Sequence, residues 1–581
     1  MLRAPFVFIW NALKALVFAL KWALFRLGRF LTRKKPRWVH WHVPARHPFG
    51  PPRGVAALFQ DTPSFLDARE RLLRLADDPD VDGLLITADG LSMGSAHVGD
   101  LADLADRLRD SGKAVLFHSH SLMGREYRLA LAADQILVTP GAHLYLFGLR
   151  IEQFFAAPLL ERLGVAAQFV HLGAFKTAAH RFIHEEGTSP QRLAVDQLLT
   201  SLAKLQESHL AERRGLADDE LPDLFGTMPI DDQEAIHRKL IDARWPRRKL
   251  RHWIASGHLA EGEQPPSPEE AEKAAGQVII RDLPAHVGGI PRFQWVPLFR
   301  HQPAIAVMDL SGMIVMPDTE IPGHSAATID PKEVLPALRA LKRARHIRAV
   351  VLHINSPGGS AIASEIIWDA IGDLGEAKPV IAYMSDVAAS GGYYLSVAAH
   401  GIICRPETIT GSIGVIAGKF SLPGALEHLG IHHETFARHE SSRFMSLSEP
   451  LSEDSLENLR RDARAFYRQF LRRVGESRGL PRRRLHRFAR GRVYTGVDAH
   501  RRGLVDKLGG FEDAVDLARE LASLDDRAPL VFQPHRKVSL PALLRTRATS
   551  AIVPDTLQEL RGIHAIARRE PLLALLPLRL T

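Results

Sequence analysis

The chain contains one pattern of residues twice, and this internal repeat constrains its fold more strongly than any local motif. Three pairs of segments correspond at a constant offset of 266 residues: 81–86 with 347–352, 129–138 with 395–404, and 161–165 with 427–431. Two further pairs correspond at an offset of 264 residues: 212–216 with 476–480, and 240–242 with 504–506. Five correspondences in the same order are hard to produce by chance, so we interpret the chain as two copies of one unit.

Each copy alternates short apolar segments with longer helical segments. For the second copy we predict strands and helices in the order strand 349–354, helix 360–374, strand 379–384, helix 390–399 and strand 401–404. Alternation at this spacing indicates an α/β fold with mostly parallel strands. The length of 581 residues exceeds what one hydrophobic core supports, which agrees with two tandem domains.

Composition suggests where these domains begin and end. The two repeats cover residues 50–257 and 301–525, and residues 258–300 between them have the Pro- and Gly-containing composition of a linker. Residues 1–40 form a separate N-terminal segment, and residues 526–581 form a basic and apolar tail.

The N-terminal segment accounts for the whole net charge of +9. Residues 1–40 contain nine Lys and Arg side chains and no acidic one, so the charges of the remaining chain sum to zero. A neutral body offers no broad basic face to DNA or RNA. We therefore expect no nucleic-acid partner.

An apolar helix is predicted at residues 4–27, although Lys14 and Lys21 interrupt it. Its polar residues fall on a stripe about 80° wide around the helix: Arg3, Asn11, Lys14, Lys21 and Arg29. Such a helix lies in the membrane interface, spans the membrane with its lysines snorkelling, or packs on the protein body. We expect a single membrane anchor here, not a cleaved signal peptide, because no small-residue cleavage site follows. The basic cluster at 29–37 would favour a cytoplasmic body.

The turn at 355–360, Asn-Ser-Pro-Gly-Gly-Ser, follows a predicted strand and precedes a predicted helix. Gly358 and Gly359 let the backbone turn sharply and present its N–H groups, which suits an oxyanion hole. On this motif alone, the alternative is an ordinary strand-to-helix turn.

Ser390 lies in Ala-Ser-Gly-Gly-Tyr-Tyr, after the next predicted strand. A serine at the start of a helix is often only an N-cap, but the neighbouring Gly391 permits close approach of a substrate backbone. Sites in open α/β sheets form at the carboxyl ends of strands, so Ser390 and the 355–360 turn are candidates for one site. None of the 28 histidines occupies a comparable strand end. The histidines in polar or mixed stretches are interpreted as solvated: His171, His180, His432 and His433.

Metal and cofactor chemistry has little support in the sequence. The only cysteine, Cys404, lies in an apolar run and is predicted to be a small buried residue. No Cys/His cluster has the spacing of a zinc site, and no P-loop or dinucleotide fingerprint is present. We therefore expect neither a metal nor another cofactor.

Further motifs complete a resemblance to a known family: Thr-Gly-Ser-Ile-Gly at 410–414, Val-Tyr-Thr-Gly at 493–496 and Gly-Leu-Val-Asp at 503–506. Together with the serine and glycine motifs, they resemble the signal peptide peptidase A family, also called protease IV or peptidase family S49. The likeness is to the long, duplicated form and covers about residues 50–520. It implies a ClpP/crotonase-like fold in each repeat and a Ser/Lys dyad.

The resemblance also implies roles for individual residues. Ser390 would be the nucleophile, and Lys176, in the sequence Gly-Ala-Phe-Lys, would be the general base supplied by the N-terminal repeat. Ser412 would orient the lysine. The backbone N–H groups implied to hold the oxyanion belong to Gly358, Gly359 and Gly391.

The repeat offers an independent check on this assignment. At the offset of 266 residues, Lys176 aligns with Ser442, and Ser390 aligns with Gly124. Each repeat therefore lacks the part that the other one has. The sequence predicts one composite site, formed either within one chain or between two.

The resemblance implies a serine endopeptidase that degrades hydrophobic peptides, such as cleaved signal peptides, at the bacterial inner membrane. It further implies a homo-oligomer, a tetramer for the long form, without a cofactor. His-Arg-Phe at 180–182 replaces the more usual acidic-Pro-Phe of the family, so we expect different substrate contacts there. Two alternatives are a crotonase-like acyl-CoA enzyme, which would need a carboxylate base, and a catalytically silent membrane scaffold.

Overall fold

The computed structural model describes residues 3–31, 35–51, 63–217, 219–226, 228–256, 268–289, 302–317, 328–533 and 572–575. Its helices, numbered in chain order, are α1 Arg3–Leu31, α2 Phe65–Ala76, α3 Ser95–Asp110, α4 Gly124–Ala130, α5 Ala157–Arg162, α6 His180–Ile183, α7 Ser189–Arg214, α8 Leu221–Gly226, α9 Asp232–His237, α10 Leu250–Ala255, α11 Pro268–Ala275, α12 Leu283–Gly289, α13 Pro331–Arg343, α14 Ala361–Gly375, α15 Gly391–Ser396, α16 Pro423–His428, α17 Glu453–Arg478, α18 Arg482–Phe488, α19 Gly496–Arg501 and α20 Phe511–Leu521. Its strands are β1 Arg37–Val43, β2 Gly83–Ala88, β3 Ala114–Ser119, β4 Leu122–Met123, β5 Gln135–Val138, β6 His143–Tyr145, β7 Ala166–Leu172, β8 Ile230–Asp231, β9 Ala243–Arg244, β10 Ile279–Asp282, β11 Ala304–Ser311, β12 Met313–Ile314, β13 Thr328–Ile329, β14 Ile347–Ser356, β15 Gly358–Ser360, β16 Val380–Ala389, β17 Gly401–Cys404, β18 Ile409–Gly411, β19 Val415–Ser421, β20 Val493–Thr495, β21 Lys507–Leu508, β22 Leu530–Gln533 and β23 Leu572–Leu575.

The chain folds into two compact units. Unit 1 comprises Met1–Pro52, Gln60–Gly148 and Gln206–Gln302, and unit 2 comprises Arg53–Phe59, Leu149–Leu205 and Pro303–Thr581. These units differ from the sequence repeats, because residues 149–205 belong by sequence to the first repeat but fold within unit 2. The repeat boundaries stay a prediction, and much of the 258–300 linker and most of the 526–581 tail lie outside the described residues.

Unit 1 is built on a parallel sheet whose strands, within the described residues, run in the order β10–β1–β2–β3–β5–β9. Apolar side chains of four of these strands pack with α10 and its neighbours to form a core. Its buried members are Trp38, Leu85, Leu116, Leu137, Leu250, Trp253, Ile254 and Val278.

The main sheet of unit 2 runs in the order β20–β18–β16–β14–β11–β22 where the structure describes it, and β17 and β21 branch from β16. The central strands β11, β14 and β16 pair in parallel. They are almost entirely buried, which explains their continuous apolar sequences in place of an alternating pattern. The strands and helices predicted for the second repeat correspond to β14, α14, β16, α15 and β17, and Cys404 is buried as predicted.

A second sheet of unit 2 has the order β13–β12–β15–β23–β19–β7 within the described part of the chain. Its last two strands, β19 and β7, pair antiparallel over seven residue pairs, from Leu172 opposite Val415 to Ala166 opposite Ser421. This ladder joins a strand of the first repeat to a strand of the second.

Other contacts also fix residues 149–205 within unit 2. The Gln168 side chain donates to the Leu451 carbonyl and accepts from the Leu451 N–H, at 3.2 and 2.5 Å. The hydroxyls of Ser201 on α7 and Thr495 on β20 lie 2.8 Å apart. Apolar residues of both repeats form a common cluster: Ile151, Leu198, Leu202, Val387, Ile409 and Val493. Pairing of apolar and backbone groups therefore overrides the order of the repeats along the chain.

Helix α1 contains the predicted apolar segment and presents an unusual distribution of side chains. Asn11 is buried and Lys14 is half-buried, whereas Leu16 and Leu20 are 70% and 65% exposed. Its apolar side chains are therefore the more accessible ones. Of the helices in the described ranges, none is both long enough and apolar enough to cross a membrane.

The β7–β19 ladder can be tested at Gly418, where a Cβ would lie 2.2 Å from the Gln168 carbonyl oxygen. We expect Gly418→Ala to destabilise unit 2 by about 1–3 kcal/mol, the usual range for overpacking, and to raise hydrogen exchange in β7. Urea unfolding and exchange mass spectrometry measure the two effects. Gly372→Ala, on α14 with open space around its Cβ position, is the matched control. Wild-type exchange rates of β7 in Gly418→Ala would contradict the expectation.

Candidate active site

Three loops leave the main sheet of unit 2 at one edge because their strands are neighbours in register. Ser356 at the end of β14 lies opposite Ala388 of β16, and Ala389 lies opposite Gly411 of β18. All three strands run in parallel, so their carboxyl ends meet at the same edge. This register places Ser390, Ser412 and the turn at 357–359 side by side.

Ser390 is completely buried and holds a backbone conformation that is uncommon for a residue with a side chain, with φ +56° and ψ −112°. Its N–H donates to the Gly411 carbonyl and its carbonyl accepts from the Tyr394 N–H, both at 2.8 Å. Ser412 also has a positive φ of +52°, and its N–H donates to the Arg492 carbonyl at 2.7 Å. These hydrogen bonds hold both serines in strained conformations, a feature that is concentrated at functional sites.

Lys176 reaches these serines because the β7–β19 ladder ends close to them. After Leu172 the chain turns at Gly173, and the Phe175 N–H donates to the Arg490 carbonyl at 2.8 Å. A Cβ on Gly491 would lie only 2.4 Å from the Lys176 backbone nitrogen. Gly491 is therefore needed for the lysine loop to approach the 489–492 loop so closely.

The Lys176 amine contacts both serines within one chain. Nζ donates to Ser390 Oγ at 2.7 Å, to the Ser412 carbonyl oxygen at 2.8 Å and to Ser412 Oγ at 2.9 Å. The lysine and both serine side chains are completely buried. The structure therefore brings together the three polar residues that the sequence assigned to a composite site.

Burial shapes the electrostatics of this site. Desolvation lowers the pKa of Lys176 well below its usual value of 10.5, because the protein interior disfavours the charged ammonium. A lysine with a lowered pKa is neutral over more of the physiological pH range, and its amine can then accept a proton.

The turn at 357–359 lies directly against the start of α15. A Cβ on Gly391 would be 3.0 Å from the Gly358 Cα, and one on Gly359 would be 1.9 Å from the Ile314 carbonyl oxygen. The Gly358 N–H donates to Ser356 Oγ at 3.2 Å. The sequence left Gly358 and Gly359 as equal candidates for an oxyanion contact, and this hydrogen bond favours Gly359.

Sequence reasoning did not identify the side chains that hold α15 in place. The Tyr393 hydroxyl donates to the Leu504 carbonyl at 2.8 Å, and the Tyr394 hydroxyl donates to Glu365. Arg473 donates to the same carboxylate at 2.7 Å. The consecutive tyrosines directly after the Ser-Gly-Gly motif were the available signal for this support.

His180 corrects one sequence interpretation, because it is buried and not solvated. Its ring lies 4.9 Å from the His171 ring and 4.7 Å from the His184 ring, between centroids. Burial and these neighbouring histidines lower the pKa of His180 to about 4. His432 and His433 are exposed, as expected. The polar sequence around His180 gave no sign of this packing.

Comparisons with known proteins agree with this geometry. Peptidase family S49 matches residues 107–258 and 373–525, which together make up just over half of the chain. Clp protease matches residues 316–408. The repeated S49 match and the Clp match confirm the predicted Clp protease-like α/β fold and its duplication.

Three curated relatives match over most of the chain. The chloroplastic serine protease SPPA of Arabidopsis thaliana is 26% identical over 94% of this chain and 77% of its own length. Protease 4 of Salmonella typhi is 27% identical, with coverage of 79% and 72%. Protease 4 of Haemophilus influenzae is 25% identical, with coverage of 77% and 71%.

The buried amine predicts a dependence of stability on pH. Between the lowered pKa of Lys176 in the folded protein and its value of 10.5 when solvated, the unfolded chain binds more protons, so stability rises with pH. Lys176→Met has no such proton. We expect its stability relative to wild type to be greatest near pH 7 and to decline toward pH 10, by about 1.4 kcal/mol per unit of pKa depression that this window covers.

Urea unfolding at several pH values measures this difference. Lys332→Met, which removes an exposed lysine of α13 in the same unit, is the matched control and should show a level difference across the range. The same level difference in Lys176→Met would mean that Lys176 enters the folded protein charged.

Proposed function

Because this chain belongs to peptidase family S49 and is a serine protease, we propose that it cleaves peptide bonds with Ser390 as nucleophile and Lys176 as general base. The observation that carries the proposal is the 2.7 Å hydrogen bond between Lys176 Nζ and Ser390 Oγ, formed by two buried side chains of one chain. A serine hydroxyl is a weak nucleophile until an adjacent base takes its proton. The acyl-CoA enzyme and the silent scaffold are accordingly set aside.

The proposed reaction proceeds through an acyl-enzyme. Neutral Lys176 takes the hydroxyl proton while Ser390 Oγ attacks the peptide carbonyl, and the resulting ammonium gives that proton to the leaving amine as the C–N bond breaks. The neutral amine then takes a proton from water, which attacks the ester. Release of the acid returns the proton to Ser390 and regenerates both groups.

Ser412 is proposed to orient the amine. A neutral amine has two N–H groups and one lone pair, and Ser412 offers two acceptors, its carbonyl at 2.8 Å and its hydroxyl at 2.9 Å. With both N–H groups directed to Ser412, the lone pair is left to face the Ser390 hydroxyl. The positive φ of Ser412 supports this role, because it lets the carbonyl and the side chain face the same nitrogen.

The oxyanion is proposed to bind the backbone N–H groups of Gly359 and Gly391. Their neighbourhood is supported by the close approach of Gly391 to Gly358, and Gly358 itself is engaged by Ser356. Loss of one such donor typically lowers the rate by about 10²–10³.

The proposed substrates are hydrophobic peptides such as cleaved signal peptides, and the proposed place of action is the bacterial inner membrane. Helix α1 supports the membrane proposal, because Leu16, Leu20 and Leu24 are each more than 60% exposed. An interfacial helix buries such apolar side chains between lipid headgroups and acyl chains.

We also propose a homo-oligomer, a tetramer by analogy with the long form of the family. Unit 2 exposes large apolar side chains on α5 and near α16, and a second copy could cover them: Leu159, Leu163, Leu429, Ile431 and Phe436. Mass photometry of the detergent-extracted protein measures the subunit number directly.

The dyad is tested by removing either partner. We expect Ser390→Ala and Lys176→Ala each to lower kcat for an apolar fluorogenic peptide by about 10⁴ or more, since nucleophile and base act as one unit. A fluorophosphonate should label wild type at Ser390 and leave both variants unlabelled. Ser385→Ala, which removes another buried serine of β16, should retain full activity. Wild-type hydrolysis by either dyad variant would rule the mechanism out.

The role of Ser412 is tested by a pH profile. The hydroxyl accepts a hydrogen bond from Nζ, which favours the charged amine, so its removal should lower the pKa of Lys176 further. We expect Ser412→Ala to reduce kcat by roughly tenfold, short of the 10²–10⁴ typical of a whole general base. The acid limb of its kcat/KM profile should move to lower pH. Ser421→Ala, at the far end of β19, should leave the limb in place; an unmoved limb in Ser412→Ala as well would exclude the contact.

A further inference from the structure

Strand β23, the sequence Leu-Leu-Ala-Leu at 572–575, lies in the middle of the second sheet of unit 2. On one side it pairs antiparallel with β15, with Ala574 opposite Gly359. On the other side it pairs antiparallel with β19, with Leu573 opposite Ile416. A short apolar segment from late in the chain therefore separates two strands of the second repeat.

These two strands border the proposed catalytic site. β15 contains Gly359, the proposed oxyanion donor, and β19 begins just after Ser412, which holds the lysine. β23 therefore runs past the groups that would act on a substrate.

Without β23, β15 and β19 would face each other across a gap. Neighbouring strands lie about 4.8 Å apart, so the slot that β23 fills is about 9.6 Å wide and accepts a single extended strand. Each bordering strand would present an unpaired row of N–H and C=O groups toward it. Such a slot binds an extended peptide by strand addition on both of its edges.

We propose that residues 572–575 are a built-in occupant of the substrate groove, which competes with extended apolar peptides for the slot between β15 and β19. This inference rests on the proposed protease function and names the binding mode of its substrates. The segment belongs to the same chain, so its competition does not weaken on dilution. Its Leu-Leu-Ala-Leu sequence belongs to the same apolar class as the proposed substrates.

The contrasting possibility is that β23 is a permanent strand of the sheet. Release of β23 should then unfold the sheet and give no gain in peptide binding. The two possibilities differ in what happens when β23 is locked in place and when it is displaced.

A disulfide locks the strand. Residues opposite each other in an antiparallel pair have Cα atoms about 4.5–5.5 Å apart, within the range that a disulfide spans, so Leu573→Cys with Ile416→Cys should cross-link on oxidation. The native Cys404 is buried and should not interfere. We expect at least a tenfold loss of peptide hydrolysis in the oxidised full chain and recovery on reduction. The single variant Leu573→Cys should show neither change, and equal activity of the oxidised and reduced double variant would overturn the proposal.

Proline substitutions release the strand. Proline donates no hydrogen bond and is excluded from central strands, so Leu573→Pro with Ala574→Pro should expel β23 from the slot. In a full chain that also carries Ser390→Ala, we expect the labelled peptide Pro-Leu-Leu-Ala-Leu-Leu-Pro to bind at least tenfold more tightly by fluorescence anisotropy. Leu580→Pro, outside β23, is the matched control and should bind like the parent.

The anisotropy measurement does not depend on catalysis. Tight peptide binding in the released variant, combined with no hydrolysis by any chain that retains Ser390, would refute the proposed function and leave the groove assignment standing. Hydrolysis by wild type with unchanged peptide binding in the released variant would do the reverse. If the proline variant does not fold, the disulfide lock still decides between the two possibilities.

Discussion

The structure of unit 2 depends on how an amine is kept in a dry interior. An isolated ammonium is very costly to bury, so a fully buried lysine gives up its proton more readily. Lys176 has only hydroxyl and carbonyl oxygens as hydrogen-bond partners at Nζ, namely those of Ser390 and Ser412. The same burial that opposes folding at neutral pH makes the amine basic in the form that catalysis needs. A carboxylate in contact with Nζ would stabilise the fold and keep the amine charged.

That burial requires residues from both repeats. The serine and the glycine turn follow strands of the second repeat, whereas the lysine follows β7, which comes from the first and pairs with β19. Unit 1 has a parallel sheet of its own, but Gly124 stands where the serine would align, and the Glu126 carboxylate accepts a hydrogen bond from the Leu91 N–H at 2.5 Å. A negative side chain beside that turn is incompatible with an oxyanion. Duplication thus freed one sheet from chemistry while its lysine segment stayed with the other.

Local sequence patterns were sufficient for the second repeat. The strands β14 and β16 are continuous apolar runs that end in glycine-containing turns, so their position, and the position of Ser390 at one of their ends, follow from local periodicity. The resemblance supplied Lys176, which no local pattern distinguishes from a surface lysine. Its place beside Ser390 depends on a strand pair that joins residues more than 200 positions apart, and no periodicity specifies such a partner. The burial of His180 was missed for the same reason.

The pairing of β23 shows how such a groove can be managed. A slot between two unpaired strand edges is a hazard in an empty protease, because any exposed strand can add to it. An occupant from the same chain satisfies those backbone groups at rest. A substrate that displaces it exchanges one set of backbone hydrogen bonds for an equal set, so the exchange is nearly neutral in hydrogen bonding. Discrimination then depends on side-chain burial, at about 25 cal/mol per Å² of apolar surface, and a longer or more apolar peptide wins over Leu-Leu-Ala-Leu. In this way the occupant would set a threshold of hydrophobicity that excludes ordinary loops and admits peptides of the membrane-spanning kind.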